Sequence, residues 1–202
     1  MLLYYITDRT QFPGDEASRR RALLAKIAEA ARSGVDFIQL REKDLSAREL
    51  EVLALDAART VRENSSRTRL LINSRADIAI ASVADGVHLR SKDVLPDEVR
   101  AVWRQAVAVI SKSCHSPAEV ALAAAEAADL VVFAPVFGKL GSPAAGLGAL
   151  REACVHPIKV LALGGVTPEN ARVCVEAGAG GVAGIRLFQE NEVAKVVDAL
   201  RG

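Results

Sequence analysis

The sequence predicts an α/β protein with a closed (β/α)8 TIM barrel that occupies residues 1–202 as a single domain. Short apolar, β-branched runs alternate with amphipathic stretches rich in Ala, Leu, Glu and Arg along the whole chain, and no linker divides them. About eight such units, with strands buried on both faces, fit either a closed barrel or an open doubly wound sheet. No GxGxxG fingerprint follows the first strand, which favours the closed barrel.

Eight apolar runs are predicted to be the strands. In chain order they are Leu2–Thr7, Asp36–Arg41, Arg69–Asn73, Gly86–Leu89, Val107–Ser111, Leu130–Val136, Ile158–Leu163 and Gly181–Ile185. Each run is short and apolar, as a strand covered on both faces by helices should be.

The longest helical patterns follow the first two strands. In Glu16–Arg32 the apolar residues recur at helical spacing, and Ser33-Gly34 supplies a stop. The next helix opens at Ser46 with a capping box, in which Glu49 stands three residues after the capping serine.

The later helices are shorter, and proline marks the start of several. Ser116-Pro117 and Thr167-Pro168 each place proline at the first helical position, where the N–H group that it lacks has no partner in any case. The other predicted helices are Arg75–Val83, Asp97–Gln105 and a stretch around Gly148–Cys154. The segment Gly138–Gly146, "GKLGSPAAG", is predicted to be a loop.

The composition predicts a cytoplasmic protein with no affinity for nucleic acid or membranes. A formal net charge of +1 gives no long-range attraction for polyanions. The apolar N-terminal stretch "MLLYYITD" is too short for a signal peptide or a membrane span. Cys114, Cys154 and Cys174 form no CxxC pair, which argues against a disulfide framework and against a structural zinc site.

Polar and glycine residues follow nearly every predicted strand. In a barrel of this class the active site lies at the carboxyl ends of the strands. The residues found there include Asp8, Gln39, Arg41, Lys43, Asn73-Ser74-Arg75, Lys92, Asp93, Ser113, His115, Gly164-Gly165 and Gly184-Ile185-Arg186. This distribution predicts one polar site at the barrel mouth.

Two stretches indicate an anionic ligand. In "FIQLREKD" the side chains of Gln39, Arg41 and Lys43 alternate with a period of two, so they point to the same side of the strand end. Gly164-Gly165 precedes the helix predicted at Thr167, after the seventh strand, where barrels commonly hold a phosphate. Arg186, after the eighth strand, adds positive charge beside this second position.

The motifs "QLREKD", "DGVHL", "CHSPAEV", "APVF", "LALGGVTPENA" and "AGAGGVAGI" together resemble the thiamine-phosphate synthase and TenI superfamily, in order and over essentially the whole chain. The resemblance implies a (β/α)8 barrel in thiamin biosynthesis. The synthases join a pyrimidine methyl diphosphate to a thiazole phosphate, with Mg²⁺ and loss of pyrophosphate. The TenI-type tautomerases move a proton to aromatise a thiazole carboxylate phosphate, without a metal.

The resemblance also implies roles for individual residues. The positions of Gln39, Arg41 and Lys43 hold the pyrimidine and its diphosphate in the synthases. The other implied roles are Asn73 as a diphosphate or pyrimidine contact, Asp93 as a magnesium ligand, Ser113 as a substrate-positioning hydroxyl, and Gly164 and Gly165 as the thiazole phosphate site.

Three departures from the family pattern affect the choice between the branches. Ser74 stands where the synthases carry a second magnesium-binding aspartate. "GKLGSPAAG" replaces their Thr-x-Thr-Lys loop and offers only Lys139 and Ser142. Arg186 falls near a serine that helps to bind the thiazole phosphate.

These departures favour a TenI-like tautomerase that needs no cofactor. In this hypothesis Gly164, Gly165 and Arg186 hold the substrate phosphate, and Arg41 and Lys43 meet its carboxylate. His115 is the general acid and base, with Lys43 as the other proton-transfer candidate if burial lowers its pKa.

Two alternatives stay open. One is a Mg²⁺-dependent synthase that uses Asp93, and the other is a non-catalytic protein that binds a thiamin precursor as a regulator. A homodimer is expected by analogy with the family. His88 is expected to fill the barrel or line its mouth, and Cys114 has the opposite strand parity to His115, so the two are not expected to form a nucleophilic pair.

Overall fold

A computed structural model describes residues 1–103, 107–138 and 143–202. Eight parallel strands close into a barrel in which each strand pairs with its neighbours in chain order and the eighth pairs with the first. The strands are β1 (Leu2–Ile6), β2 (Phe37–Leu40), β3 (Arg69–Asn73), β4 (Gly86–Leu89), β5 (Val109–Cys114), β6 (Leu130–Phe133), β7 (Lys159–Ala162) and β8 (Gly181–Gly184). The predicted (β/α)8 barrel is confirmed.

The predicted bounds of the fifth and sixth strands were wrong. For the sixth, Leu130–Val136 was expected, whereas β6 spans Leu130–Phe133. Val107–Ser111 was expected, whereas β5 spans Val109–Cys114, so Ser113 lies inside the strand. The polar run "SKSC" does not look like a buried strand in the sequence. It forms one because Lys112 pairs on the outer face with Glu126, at the end of the following helix. Ser111 and Ser113 instead accept or donate hydrogen bonds inside the barrel, where a polar partner replaces the usual apolar neighbours.

Helices follow the strands on the outside of the barrel. They are α1 (Glu16–Arg32), α2 (Ala47–Asn64), α3 (Ala76–Ala81), α4 (Pro96–Val102), α5 (Pro117–Ala125), α6 (Gly146–Ala153), α7 (Ala171–Glu176), α8 (Arg186–Gln189) and α9 (Val193–Arg201). The capping box predicted at Ser46 is confirmed, since the serine accepts from the Glu49 N–H while the Glu49 side chain accepts from the Ser46 N–H.

One predicted helix start was wrong, and parts of two predicted segments lie outside the described residues. Thr167-Pro168 was expected to open a helix, but α7 begins at Ala171. The Asn170 side chain bonds the backbone at Thr167 and Gly165, which stabilises a turn ahead of the helix. Residues 104–106 at the end of the predicted fourth helix are not described, and neither are residues 139–142, which include Lys139 and Ser142.

Two apolar cores separate the inside of the barrel from its outer face. The inner cluster contains Tyr4, Ile6, Leu71, Leu130, Val132, Leu161 and Ala183. The larger cluster packs the outer faces of the strands against the helices. Alternation along each strand therefore assigns Gln39, Asn73, His88 and Ser113 to the inside, above the inner core and at the carboxyl ends of the strands.

Among the described residues, no helix is long and apolar enough to cross a membrane.

Candidate active site at the barrel mouth

A chain of hydrogen bonds links the ends of β2, β3 and β4. The Gln39 side-chain amide donates to Asn73 Oδ1 at 2.8 Å, and Asn73 Nδ2 donates to Ser74 Oγ at 3.1 Å. Ser74, at a φ of 61°, lies close enough to Asp93 in the loop after β4 to lower the pKa of that carboxyl. Gln39 and Asn73, both predicted for the site, are therefore bonded to each other, and Ser74 lies between Asn73 and Asp93.

The same chain leaves one buried acceptor unsatisfied. Because Asn73 uses its amide nitrogen on Ser74, its carbonyl oxygen accepts from Gln39, and Gln39 Oε1 is left as an acceptor. Gln39 is 1% exposed, and Oε1 has no hydrogen-bond partner among the described residues. A buried acceptor without a donor is costly, so this oxygen is suited to receive an N–H group from a ligand.

Arg41 stands two residues beyond Gln39 on the same side of the strand end, and its side chain is also unsatisfied. Its backbone N–H donates to Thr7 Oγ1 at 3.0 Å, whereas its half-buried guanidinium makes no hydrogen bond or ion pair within residues 1–103, 107–138 and 143–202. Burial lowers the pKa of Arg41; the negative charges of Asp8 and Glu42 oppose this effect, and the positive charge of Arg90 adds to it. A partly desolvated cation without a partner is suited to an anionic ligand.

A cleft of about 320 Å³ opens beside Arg41. It is lined by Asp8, Thr10, Arg41, Glu42, Lys43 and Asp44. Lys43 is exposed, so the burial on which its predicted role in proton transfer depended is not found. Lys43 lies at the edge of the cleft, and this position is compatible with an electrostatic contact to an anion. The expectation that Lys43 is buried was wrong.

His88 connects β1, β4 and β5 inside the barrel. Its Nδ1 lies 3.1 Å from the Tyr4 hydroxyl and 2.9 Å from Ser111 Oγ, and its Nε2 lies 2.8 Å from Ser113 Oγ. The prediction that His88 fills the barrel is confirmed, since it is 3% exposed. The sequence did not indicate that this ring holds the Ser113 hydroxyl in place.

The buried ring makes the stability of the fold depend on pH. The pKa of His88 is lowered from 6.5 to about 3, mainly by burial and also by the positive charge of Arg41, while the negative charge of Asp93 opposes both effects. Between these two values the unfolded chain binds a proton that the folded chain does not, so the free energy of unfolding falls as the pH falls. When the pH falls from 7 to 5, we expect the wild-type protein to lose about 2 kcal/mol more of its free energy of unfolding than His88→Gln does. Urea unfolding at the two pH values measures this difference.

The matched control is His156→Gln, in the loop after α6, which should retain the wild-type dependence on pH. If His88→Gln is too unstable to purify, NMR of the wild-type protein gives the same information. A His88 ring that becomes protonated above pH 5 in the folded state would contradict the expectation.

Asp93, which the family resemblance implies as a magnesium ligand, is bonded to Arg90 in the loop after β4. Both Asp93 oxygens accept from Arg90, at 2.8 Å from its backbone nitrogen and 3.0 Å from Nε. Partial burial raises the pKa of Asp93, but the hydrogen bonds from Arg90 and Ser74 outweigh it and leave the pKa below its ordinary value. Within the described residues no group of three or more His, Cys, Asp or Glu side chains is arranged to hold a metal ion.

His115 lies on the other side of the mouth, at the ends of β5 and β6. Its Nδ1 is 2.7 Å from the Ala134 carbonyl oxygen, and because a carbonyl can only accept, Nδ1 carries the proton. In the neutral form of this exposed ring, Nε2 is then the nitrogen that can act as a base. The His115 backbone N–H also donates to Glu119 in α5, so the residue is held at both ends.

The glycine pair after β7 adjoins the same part of the rim. Gly164 and Gly165 have φ values of +99° and +67°, which disfavour any side chain. A Cβ at Gly164 would lie 2.8 Å from Pro135, and one at Gly165 would lie 2.8 Å from Phe137. The glycines therefore let the segment after β6 pack closely on the end of β7, which is a structural reason for them whether or not a phosphate binds.

Arg186 is exposed at the first residue of α8, on the neighbouring strand end. The backbone around it is ordered by Asn191, whose side chain donates to the Arg186 carbonyl oxygen at 3.3 Å. Arg186 thus follows β8, the strand next to β7 in the barrel.

A buried ion pair that the sequence analysis missed supports the β1 and β2 side of the mouth. Arg9 is 3% exposed and Glu42 is 5% exposed. The Arg9 Nη1 lies 3.2 Å from Glu42 Oε2, and the same guanidinium bonds Asp44 and Glu16. Thr7 Oγ1 donates to Glu42 at 2.5 Å while accepting from the Arg41 backbone, so this cluster fixes the position of Arg41.

Cys114 is buried on the outer side of β5, away from the His115 ring. Burial raises the pKa of its thiol to about 12, so the thiolate is not formed near neutral pH. These properties of Cys114 give no support to a nucleophilic pair with His115.

Comparison with known proteins gives matches along most of the chain. The family model described as thiamine monophosphate synthase matches residues 3–188. A putative thiamine-phosphate synthase 2 from Aquifex aeolicus is 38% identical over 192 residues, covering 93% of this chain and 97% of that protein. A putative thiamine-phosphate synthase from Geobacter sulfurreducens is 41% identical over 190 residues, covering 90% of this chain and 83% of that protein.

Among solved structures, the thiamine phosphate pyrophosphorylase from Pyrococcus furiosus superposes with a TM-score of 0.84 at 28% identity. The superposition covers 99% of this chain and 93% of that chain. The strand and helix order described above is therefore shared over nearly the full length of both molecules.

Proposed function

This chain belongs to the thiamine monophosphate synthase and TenI family, and on this basis we propose that it is a thiamine-phosphate synthase. The names of the relatives favour the synthase over the tautomerase that the sequence alone favoured. The proposed substrates are a pyrimidine methyl diphosphate and a thiazole phosphate, and the products are thiamine phosphate and pyrophosphate.

The observation that carries this proposal is the pair of unsatisfied groups at the end of β2. Gln39 Oε1 is a buried acceptor without a donor, and the half-buried Arg41 guanidinium has no partner within the described parts of the chain. An aminopyrimidine that carries a diphosphate offers both missing partners, an N–H donor for Gln39 and anionic oxygens for Arg41.

The reaction breaks the bond between the pyrimidine methylene carbon and a diphosphate oxygen, whose electron pair leaves with the pyrophosphate. The thiazole nitrogen then forms the new bond to that carbon. Negative charge grows on the departing oxygens, so a fixed cation such as Arg41 stabilises the transition state more than the ground state. Ser113, held by His88, is proposed to position the pyrimidine between the two halves of the mouth.

The thiazole phosphate is proposed to bind at the ends of β7 and β8. Gly165 is exposed and has no side chain to keep a phosphate away from its backbone, and the exposed Arg186 supplies positive charge on the next strand. This assignment places the phosphate of one substrate and the diphosphate of the other on opposite sides of the mouth. The reacting carbon and nitrogen can then meet between them.

A specific observation keeps the tautomerase as the second candidate. The bond from His115 Nδ1 to the Ala134 carbonyl leaves Nε2 free to take a proton from a thiazole ring and return it to another atom of the same ring. This chemistry does not use Gln39 or a leaving group.

One experiment separates the candidates. We expect the purified protein, supplied with both synthase substrates, to release one pyrophosphate for each thiamine phosphate formed. Chromatography measures the thiamine phosphate, and a coupled assay measures the pyrophosphate. A parallel sample with thiazole carboxylate phosphate is followed by NMR for tautomer equilibration. If the protein accelerates only the tautomer equilibration, and His115→Gln abolishes this acceleration, the tautomerase would replace the synthase as the proposed function. Binding of the substrates without either reaction would support the non-catalytic regulator.

A further inference from the structure

We propose that Arg90 takes the place of a divalent cation in this site, so that its guanidinium bridges Asp93 and a diphosphate and the chain binds diphosphate without a metal. This inference deepens the proposed synthase function and rests on it. It concerns only the way in which the anion is held, so it can be tested by binding as well as by turnover.

The geometry of the Arg90 and Asp93 pair leaves one edge of the guanidinium open. Nε lies 3.0 Å from Asp93 Oδ1, and Nη2 lies 2.9 Å from the same oxygen. Nη1 of Arg90 has no bond within the described residues, and 65% of the side chain is exposed. The carboxylate therefore orients a guanidinium whose free N–H groups remain accessible to a ligand.

The donor set is the second part of the argument. Mg²⁺ requires oxygen ligands in near-octahedral arrangement, usually including one or two carboxylates together with substrate phosphate oxygens. Here both Asp93 oxygens accept hydrogen bonds from Arg90, and the neighbouring Ser74 offers only a hydroxyl that already accepts from Asn73. A metal bound at Asp93 would have to displace a cation that is already paired with it.

The position of the charge is the third part. Arg41 directly follows β2 and Arg90 directly follows β4, with only β3 between these two strands in the barrel, and the positive charge of Arg90 lowers the pKa of Arg41. In the proposed arrangement the guanidinium lies between the carboxylate and the phosphate, where a bound metal ion would otherwise lie. Together with Arg41 it supplies two fixed positive charges for a diphosphate.

The binding test uses inorganic pyrophosphate as the probe, measured by calorimetry with the full-length protein in EDTA and in Mg²⁺. We expect the wild-type protein to bind pyrophosphate in EDTA, with an affinity that changes less than about threefold when Mg²⁺ is added. Arg90→Gln is expected to weaken binding in EDTA by about tenfold or more, because a charge-assisted hydrogen bond is lost. The control Arg172→Gln, at an exposed pair with Glu176, should bind as the wild type does.

A second variant tests whether a metal ion can replace the guanidinium when Arg90 is removed. In Ser74→Asp combined with Arg90→Gln, two carboxylates and no competing guanidinium are present, so pyrophosphate binding should become dependent on Mg²⁺. Aspartate tolerates the positive φ of 61° at position 74, so the backbone is compatible with this change.

The outcomes separate this inference from the proposed function. Wild-type binding that requires Mg²⁺, or binding in EDTA that Arg90→Gln leaves unchanged, overturns the role of Arg90 and leaves the synthase proposal intact. Metal-free, Arg90-dependent binding of pyrophosphate in a protein that forms no thiamine phosphate supports the anion site and removes the synthase proposal.

Discussion

Arg41→Gln is expected to lower kcat/KM for thiamine phosphate formation by roughly 100- to 1,000-fold. The guanidinium is half-buried and its side chain has no partner within the described residues, so its interaction energy is available to a ligand. Glutamine keeps hydrogen-bonding capacity but removes the charge that opposes the growing negative charge of the leaving group. The measurement is steady-state kinetics with both substrates, together with the affinity for pyrophosphate.

A stability measurement distinguishes a direct role for Arg41 from a structural one. Because the substitution removes a partly desolvated cation without an ion-pair partner, the free energy of unfolding should stay the same or rise slightly. Arg172→Gln, on the exposed face of α7, controls for the loss of one positive charge and should retain wild-type kinetics. An Arg41→Gln variant with full activity, or with activity lost only through unfolding, would contradict the assignment.

Arg9→Ala is expected to reduce the free energy of unfolding by about 3–5 kcal/mol, measured by urea unfolding at neutral pH. The substitution leaves Glu42 buried at 5% exposure without its cationic partner. It also removes the bond from Arg9 to Asp44, which joins the loop after β1 to the loop after β2, and the bond from Arg9 to Glu16 at the start of α1. The effect should be large because the cost is that of an uncompensated buried charge, which far exceeds the net gain from an exposed pair.

Two variants test this explanation. Arg172→Ala breaks an exposed pair with Glu176 and should cost less than about 0.5 kcal/mol. Combining Arg9→Met with Glu42→Gln removes both charges, so the double variant should be more stable than Arg9→Ala alone. A small effect of Arg9→Ala, or a double variant that is no better, would show that Glu42 does not depend on Arg9.

The sequence was sufficient for the fold and for the strand ends at which the candidate residues lie, because both depend on residues that are neighbours along the chain. Alternation with a period of two assigned Gln39 and Arg41 to one side of β2, and the structure brings both to the barrel mouth. The succession of strands and helices admitted few topologies, and the closed barrel was among them. Capping residues such as Ser46 also marked a helix start correctly, since a cap is a local interaction.

The tertiary structure decided which polar groups already have partners and which do not. Arg9 and Glu42 are separated by 33 residues in the chain, and Tyr4 and His88 by 84. Asp93 and Arg90 are close in sequence, yet spacing alone does not tell a bonded carboxylate from one free to bind a metal. Burial and partner choice depend on the closure of the barrel, which brings distant segments together in a medium of low dielectric constant. For that reason only the three-dimensional structure shows that, within its described residues, the Gln39 oxygen lacks a donor and the Arg41 guanidinium lacks a hydrogen-bond or ion-pair partner.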